Sequence, residues 1–494
     1  MTATPTAAVP FTTVIGLEVH VQLQTRTKLF CGCATTFGAA PNTQVCPTCL
    51  GLPGSLPVMN RTAFELAVRA ALALGCKIAP FTKWDRKNYF YPDLPKGYQI
   101  SQFDLPFSSE GALEVVDPKG ALTRNVRITR VHLEEDAGKS MHDETAGTGD
   151  TRIDLNRAGT PLCEIVSEPD LRSPQEARAW LNELKLLLVY LGVSDCNMQE
   201  GSLRVDANVN LHIPCDGGRI AKTPIVEIKN MNSFRSVERA LVYESARQYE
   251  EWQATKAEMG KTPKQTRGWD DPAGVTRAQR HKEESSDYRY FPEPDLVPVA
   301  PDPAWVGELK AGLPELPIPL RAGLVNDMGL SAEDAEVITG SPDLVAYFME
   351  AAGLADAKSC ANWIRGELRA QLRELGQEPW ESKVRPGHIA ELVGLLEANT
   401  VSVPAAKEVL AGVIETGDAP SVVVEAKGLG QISDEGELKA IIQGIVDANP
   451  DQAQQLRDGK DKVLGFFVGQ AMKQTGGRAD PQTVQRLVRD AVLG

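Results

Sequence analysis

The sequence is poor in the features that mark membrane proteins and basic nucleic-acid binders. No apolar run approaches the roughly 18 residues that span a bilayer, so we expect no membrane segment. Lys and Arg number 52 against 66 Asp and Glu, and the formal net charge of −14 disfavours a generally basic protein, although it allows a local basic strip. Residues 1–10 contain no basic residue and no long apolar stretch, which predicts a disordered N-terminus and not a signal peptide.

Common local motifs for nucleotide binding and acyl transfer are also missing. The string from Ala137 to Ser140 resembles the end of a P-loop, but the first glycine of that motif would fall on Leu133. No Gly-rich dinucleotide fingerprint precedes a helix, and no Gly-x-Ser-x-Gly nucleophile elbow occurs. If the protein uses ATP, another arrangement must hold it.

The composition is otherwise that of a globular protein. Apolar residues make up 42% and charged residues 24% of the 494 residues, which suits two to four domains at roughly 150 residues each. Strand-like segments precede a Pro-rich boundary at Phe291–Pro303, and helical patterns dominate after it. We predict an α+β fold with a β-rich domain at 11–298, a helical domain at 299–410 and a small helical tail domain at 411–494.

Residue periodicity predicts individual elements. Half-buried antiparallel strands are expected at Thr13–Gln24, Asn125–Leu133, Leu203–Ile213 and Pro224–Met231. Asn60 caps a predicted helix that ends at Gly75, and a capping box at 173–176 opens a second that ends at Gly192. A third helix, Val237–Met259, is long and polar, and we expect it to be exposed. Later helices are expected at Asp343–Ala352, Ala361–Leu375, His388–Ala398, Val401–Ile414, Asp434–Ala448, Asp451–Gly459, Val463–Gln474 and Pro481–Val492.

Four of the nine cysteines form the clearest local signal. They are Cys31, Cys33, Cys46 and Cys49, spaced as two close pairs. Four thiolates at this spacing can surround one tetrahedral Zn²⁺, and because the protein fills every position, a structural zinc is favoured over a catalytic one. Four unrelated buried thiols are the alternative. One thiol cluster and five scattered cysteines suit a reducing compartment, so we expect a cytoplasmic protein.

Acidic and imidazole groups on predicted strands form a second signal. Glu18 and His20 point to the same face of a strand because the strand period is two residues. The other candidates are the acidic run His132–Asp136, Glu164, and Arg204 with Asp206 on one strand. Oxygen-rich sites with one imidazole suit Mg²⁺ or Mn²⁺, and hence phosphate chemistry. For any single carboxylate a solvated strand face is the commoner explanation, so both interpretations stay open.

Two aromatic–proline loops and one basic strip are weaker signals. The loops, Asp85–Pro92 and Asp287–Pro292, each mix a cation with aromatic rings, which can hold a phosphate and a base or ribose. Two packed loops that close a β-domain are an equal alternative. The strip at Gly459–Asp480 carries Lys460, Lys462, Lys473 and Arg478 against Asp461 and Asp480. A solvated helix face is its default explanation, and phosphate contact is the minority one.

Eight long, unusual strings occur in one order along the chain. They are Val14–Val21, Asp85–Pro92, Gly97–Asp104, His132–Ser140, Asp154–Leu162, Glu164–Asp170, Glu200–Asn208 and Asp287–Asp295. Together they closely resemble the family of B subunits of bacterial aspartyl/glutamyl-tRNA amidotransferases, and the resemblance covers about 11–494.

The resemblance implies a three-subunit enzyme that corrects mischarged Glu-tRNA(Gln) or Asp-tRNA(Asn). In it, ATP phosphorylates the side-chain carboxylate on the tRNA, and ammonia displaces the phosphate. A glutaminase A subunit supplies the ammonia and a small C subunit joins the two. The implied fold is a β-rich cradle domain, a helical domain and a helical tail that contacts tRNA. A non-catalytic, zinc-containing RNA-binding adaptor is the alternative function.

The resemblance also implies roles for particular residues. His20, Glu135 and Glu164 match the Mg²⁺ ligands, and Glu18 and Glu134 match the edge of a neighbouring cation site. To these catalytic candidates we add Lys87, Arg204 and Asp206 as cleft residues. Glu134 and Glu135 face opposite ways on a regular strand, so a bulge or turn is predicted if both line one site. Only part of the family has the four cysteines, so zinc is expected to fix the loop Leu29–Pro53 and not to take part in the shared chemistry.

Overall fold

The structure, a computed structural model, describes residues 10–116, 122–142, 150–279, 288–431, 435–476 and 478–493. It divides into two compact units, Met1–Pro317 and Ile318–Gly494. A mixed sheet lies in the first unit and helices make up the second, which confirms the α+β class. The predicted disorder at 1–10 concerns residues that, apart from Pro10, lie outside the described part of the chain.

Strands dominate the first unit. They are β1 (Thr12–Gln22), β2 (Lys77–Ile78), β3 (Asp85–Asn88), β4 (Tyr98–Ser101), β5 (Ser108–Val116), β6 (Leu122–Glu135), β7 (Lys139–His142), β8 (Thr151–Asp154), β9 (Pro161–Ser167), β10 (Leu203–Pro214), β11 (Ile220–Lys222), β12 (Val226–Lys229), β13 (Gln265–Asp270), β14 (Val275–Ala278) and β15 (Phe291–Pro292). In the described residues the main sheet has the order β14-β13-β12-β10-β1-β9-β6-β5-β2, and β11 pairs with β10. Smaller sheets are β15-β3-β4 and β7-β8.

The main sheet buries one face of its central strands. On β10 the alternating residues Leu203, Val205, Ala207, Val209 and Leu211 are all buried, as the pattern predicts. The described neighbours pair antiparallel except β12 with β13, which are parallel. The polar residues between the apolar ones therefore share the opposite face, and this is the face that carries the candidate site.

Five helices are described in the first unit. They are α1 (Pro47–Leu50), α2 (Arg61–Ala73), α3 (Pro174–Tyr190), α4 (Phe234–Thr255) and α5 (Pro303–Ala311). Asn60 accepts from the Ala63 amide at 3.2 Å and caps α2, as predicted. Ser173 caps α3, but Glu176 accepts from the amide of Arg172 at 2.8 Å instead of that of Ser173, so the predicted capping box is shifted by one residue.

The prediction that α4 is exposed is wrong. The helix packs against α3 and β10 and buries Val237, Ala240 and Leu241. Its polar residue Glu244 is also fully buried. Arg247 donates a hydrogen bond to it at 2.6 Å, which supplies the partner that a buried carboxylate needs. The sequence does not distinguish a polar side chain that is buried with a hydrogen-bond partner from one that is exposed to solvent, which explains the error.

The second unit consists of helices in its described part, with α6 starting at the boundary. They are α6 (Pro317–Asn326), α7 (Ala332–Ile338), α8 (Pro342–Ala352), α9 (Ala357–Trp363), α10 (Arg369–Leu375), α11 (Pro386–Glu397), α12 (Val403–Thr416), α13 (Pro420–Lys427), α14 (Glu435–Ala448), α15 (Pro450–Arg457), α16 (Leu464–Gln474) and α17 (Pro481–Leu493). One hydrophobic cluster runs from Leu324 to Val424 and another from Leu438 to Val492.

The predicted domain limits do not coincide with these divisions. Helix α5, assigned from the sequence to the helical domain, packs on α2, where Trp305 stacks against Phe64 at 6.1 Å between ring centroids. The limit at 410/411 falls within α12. Among the described residues, no helix has both the length and the apolar character that a membrane crossing requires.

Candidate active site

One row of polar side chains crosses four neighbouring strands. His132 on β6 lies opposite Glu164 on β9, which lies opposite His20 on β1, and His20 in turn lies opposite Arg204 on β10. Residues directly opposite each other in antiparallel strands share a face and have close Cβ atoms. The register of the sheet therefore assembles groups that are far apart in the sequence.

His20, Glu134 and Glu164 form a compact group of possible metal ligands. One ligand atom from each lies within 4.8 Å of the others. Nε2 of His20 is 3.4 Å from Oε2 of Glu164 and 3.9 Å from Oε1 of Glu134. Nε2 of His132 is 3.3 Å from the same oxygen of Glu164. Two carboxylates and one imidazole are a donor set that suits a hard divalent cation.

The charges of this group are coupled. Burial alone lowers the pKa of His20, but Glu164 and Glu134 raise it above the ordinary histidine value. Burial alone raises the pKa of Glu164, yet the rings of His132 and His20 hold it well below its usual range. The pKa of Glu134 is also lowered against burial, mainly by its hydrogen bond with His132. Both carboxylates are therefore ionised at neutral pH, the form in which they bind a cation.

The structure does not bring Glu135 to this group. Register runs regularly from His132 to Glu135, without the predicted bulge, and the irregularity in the pairing of β6 with β9 lies between Ile128 and Arg130. Glu135 therefore points to the other face, where its carboxylate accepts from the Ile100 amide at 2.8 Å and pairs with Lys96. Of the two neighbouring carboxylates, the strand period places Glu134 in the site and Glu135 outside it.

A second acidic group lies beside the first. Carboxylate oxygens of Glu18, Asp206 and Glu227 lie within 4.8 Å of one another. The ammonium of Lys229 pairs with Asp206 and lies 3.1 Å from Oε1 of Glu227. Asn208 donates to Oε1 of Glu18 at 2.9 Å. Glu18 and Asp206 thus line the same cleft as His20, in a neighbouring group and not in the group around His20.

The first group, together with Glu18 and Asp206 of the second, lines one cleft of about 740 Å³. Lys87 lines it, and although burial opposes the charged form, Glu134 and other neighbours raise the pKa of Lys87 well above normal. Arg204 also lines the cleft and its Nη2 lies 2.9 Å from Oδ1 of the buried Asp136. Burial opposes its charge too, but Asp136 raises the pKa of Arg204. The cleft therefore combines carboxylates that can hold a cation with fixed positive charges that can bind anions.

Sequence reasoning gave His132 no role of its own beyond the acidic run, and it missed Glu227 and Lys229 of the second group. His132 belongs to one of the eight strings, and its spacing from Glu134 puts both on one face, so the strand period could have identified it. Lys229 follows the same rule with Glu227 on β12. Its position beside Asp206 depends on the pairing of β10 with β12, for which the local sequence carries no signal.

The four cysteines form a separate site in the loop between β1 and α2. Their Sγ atoms lie within 4.8 Å of one another, with Cys49 on α1 and Cys46 as its N-cap residue. Nζ of the fully buried Lys28 is 3.6 Å from Sγ of Cys49. A hydrogen bond from Cys31 lowers the pKa of Cys49 despite burial, with a smaller contribution from Lys28. A thiolate among four convergent sulfurs fits a tetrahedral metal.

Comparisons with known proteins agree over almost the whole chain. A family described as "GatB/GatE catalytic domain" matches residues 13–307, and one described as "GatB domain" matches 346–492. A relative from Rhodopirellula baltica is 50% identical over 485 residues, 98% of this chain and 97% of the relative. Relatives from Carboxydothermus hydrogenoformans and Geobacter sulfurreducens are each 49% identical, with 97% of this chain covered and 98% and 99% of their own lengths. All three are named as the B subunit of an aspartyl/glutamyl-tRNA(Asn/Gln) amidotransferase.

A catalytic domain with a charged cleft on a mixed, mostly antiparallel sheet, followed by a helical unit, defines the catalytic component of a larger enzyme. The chain belongs to the family of amidotransferase B subunits, and it is a component of a glutamine-hydrolysing ligase.

Proposed function

We propose that this protein amidates the mischarged amino acid on Glu-tRNA(Gln), Asp-tRNA(Asn) or both. A carboxylate oxygen of the amino acid attacks the γ-phosphorus of ATP, and ADP leaves. Ammonia then attacks the acyl carbon, loses a proton and displaces inorganic phosphate, which gives the amide. The observation that supports this function is the convergence of two ionised carboxylates, one imidazole and Lys87 in one cleft.

The residues of the cleft suit separate roles. His20, Glu134 and Glu164 would hold Mg²⁺, which neutralises the charge of ATP phosphates. Lys87 adds a fixed positive charge for the transferred phosphoryl group. Arg204, oriented by Asp136, would bind the amino-acid carboxylate before it reacts. This assignment replaces Glu135 by Glu134 in the ligand set, because Glu135 is directed to the other face of β6.

The protein would act in a complex. We propose that a glutaminase A subunit supplies the ammonia and that a small C subunit joins the two, since the relatives are themselves named as one lettered component of a larger amidotransferase. We also propose that the four cysteines hold one structural Zn²⁺, because all four coordination positions are filled by sulfur. Nine free thiols, four of them gathered at one site, fit a cytoplasmic location.

The decisive experiment is amidation of mischarged tRNA by the chain with its partner subunits, ATP and either glutamine or ammonium. His20→Ala should lower ATP-dependent amidation by about 100-fold or more, since it removes a group that holds the charge-neutralising cation. His212→Ala is the matched control: His212 is half-buried on β10 but outside the cleft, and its loss should leave amidation intact.

Two results would contradict the proposal. Wild-type complex that leaves both mischarged tRNAs unchanged would exclude the amidotransferase reaction. Full amidation by the His20→Ala complex would instead favour the RNA-binding adaptor, in which the cleft has no chemical role.

A further inference from the structure

A row of aromatic rings leads from the rim of the cleft to Lys87. The ring of Phe103 stacks on that of Tyr290 at 4.0 Å between centroids and 8° between planes. Tyr290 meets Tyr288 edge-on at 6.1 Å, and Tyr288 meets Tyr89 edge-on at 6.0 Å. Nζ of Lys87 lies 5.1 Å from the centroid of Tyr288. All five side chains line the cleft, so the row is part of its wall.

The outer ring of this row has an open face. Phe103 is 49% exposed, although Tyr290 covers one of its faces. The stack therefore leaves the opposite face and the edge as the parts of the ring that a ligand can reach. A ring that only closed a β-domain would bury both faces, because that is where its stabilising area lies. An exposed aromatic ring in a cleft that also contains Lys87 and Arg204 is instead the arrangement on which proteins stack a nucleobase.

Both rings of the stack are held by anchored backbone. The amide of Phe103 donates to Oδ2 of the buried Asp85 at 3.1 Å. On the other side, Asn88 donates to the carbonyl of Arg289 at 2.7 Å, immediately before Tyr290. The platform is thus formed without a ligand, and stacking on it costs little further ordering.

We propose that the open face of Phe103 stacks with the adenine of a substrate. The inference rests on the proposed function, in which two substrates carry this base: ATP, and the tRNA with its 3′-terminal adenosine. Both bases offer the same flat π-surface, and both are joined to a group that reacts in the cleft. The stack would position the adenine at the rim while the reacting end reaches the cation-binding group.

The test measures separate KM values for ATP and for mischarged tRNA with the complete complex. Phe103→Leu keeps apolar bulk but removes the π-face, and we expect it to raise one of the two KM values by about 5- to 100-fold, with kcat close to wild type. Phe103→Trp keeps a π-face and should keep both KM values near those of wild type. Phe90→Leu is the matched control, since Phe90 is 84% exposed but does not line the cleft.

The outcomes separate the two sources of adenine. A higher KM for ATP alone would assign the platform to the nucleotide, and a higher KM for tRNA alone would assign it to the terminal adenosine. Unchanged KM values for both, in a Phe103→Leu complex with the unfolding temperature of wild type, would overturn the proposal. If Phe103→Leu lowered the unfolding temperature, Tyr290→Leu would remove the lower ring of the stack and should raise the same KM.

Failure of the inference is distinguishable from failure of the proposed function. A wild-type complex without ATP-dependent amidation would contradict the function itself. An active wild-type complex whose KM values do not depend on the ring at position 103 would contradict only the adenine platform.

Discussion

Glu134 and Glu135 are adjacent, equally buried carboxylates in different environments. Glu134 lies among His20, His132 and Glu164, and an imidazole hydrogen bond keeps it ionised. On the other face, Glu135 forms an ion pair with Lys96, whose side chain is also buried. Alternation along one strand thus separates a group that can bind a cation from a group that stabilises the domain.

Substitution of each glutamate by glutamine should have opposite effects on activity and stability. Glu134→Gln removes a ligand charge and should lower ATP-dependent amidation by about 100-fold, with little change in the unfolding temperature. Glu135→Gln leaves the charge of Lys96 buried without a counter-charge and should cost about 3 kcal/mol of stability. Amidation below the unfolding transition should stay within a few-fold of wild type. Steady-state amidation and thermal unfolding of the two variants distinguish these effects.

The reverse pattern would restore the assignment implied by the family resemblance. In that case Glu135→Gln would abolish amidation at unchanged stability, and Glu134→Gln would remain active. Such a result would mean that β6 rearranges when substrates bind, since its register directs Glu135 away from the cleft.

For the strands, the sequence predicts which residues share a face better than it predicts which strands pair. The period of β1 puts Glu18 and His20 on one face, and that of β10 gives the buried apolar face correctly. The position of Glu164 opposite His20 depends on which strands pair and in what register. Pairing of distant strands is a property of the whole sheet, so no local pattern in the sequence contains it.

The zinc loop is an element whose stability should depend on its metal. The two close pairs of cysteines lie at opposite ends of the segment 31–49. The buried Lys28, which precedes the first pair, donates to the carbonyl of Gln44 at 2.7 Å and to Sγ of Cys49 in the second pair. We expect about one zinc atom per purified chain. Cys31→Ser combined with Cys46→Ser should abolish zinc binding and lower the unfolding temperature. Metal analysis and thermal unfolding provide the measurements.

The matched control for this double variant is Cys215→Ser, which changes a half-buried thiol far from the cluster in the sequence. It should retain the metal and the wild-type unfolding temperature. An intact protein without zinc, or a double variant that still binds it, would contradict the assignment of these four cysteines.

The second unit of the molecule contains two separate hydrophobic clusters. The first ends with Val424 and the second begins with Leu438, so a cut between them passes through neither. The second cluster is formed by α14 to α17, which pack on one another. The predicted limit at 410/411 would instead cut α12 and remove part of the first cluster.

Deletion after Gln431 should therefore weaken tRNA use without unfolding the remainder. The deleted part carries Lys460, Lys462 and Lys473 as exposed cations, and phosphate contacts of such cations are worth about 10- to 100-fold in affinity at moderate salt. We expect a KM for mischarged tRNA that rises by that factor, while tRNA-independent ATP hydrolysis and the unfolding of the first unit stay unchanged.

Replacement of the three lysines by glutamate in the full chain should reproduce the effect and keep the tail folded. Equal loss of tRNA use and ATP hydrolysis on deletion, with no effect of the three charge reversals, would mean that the tail supports the fold and does not contact tRNA.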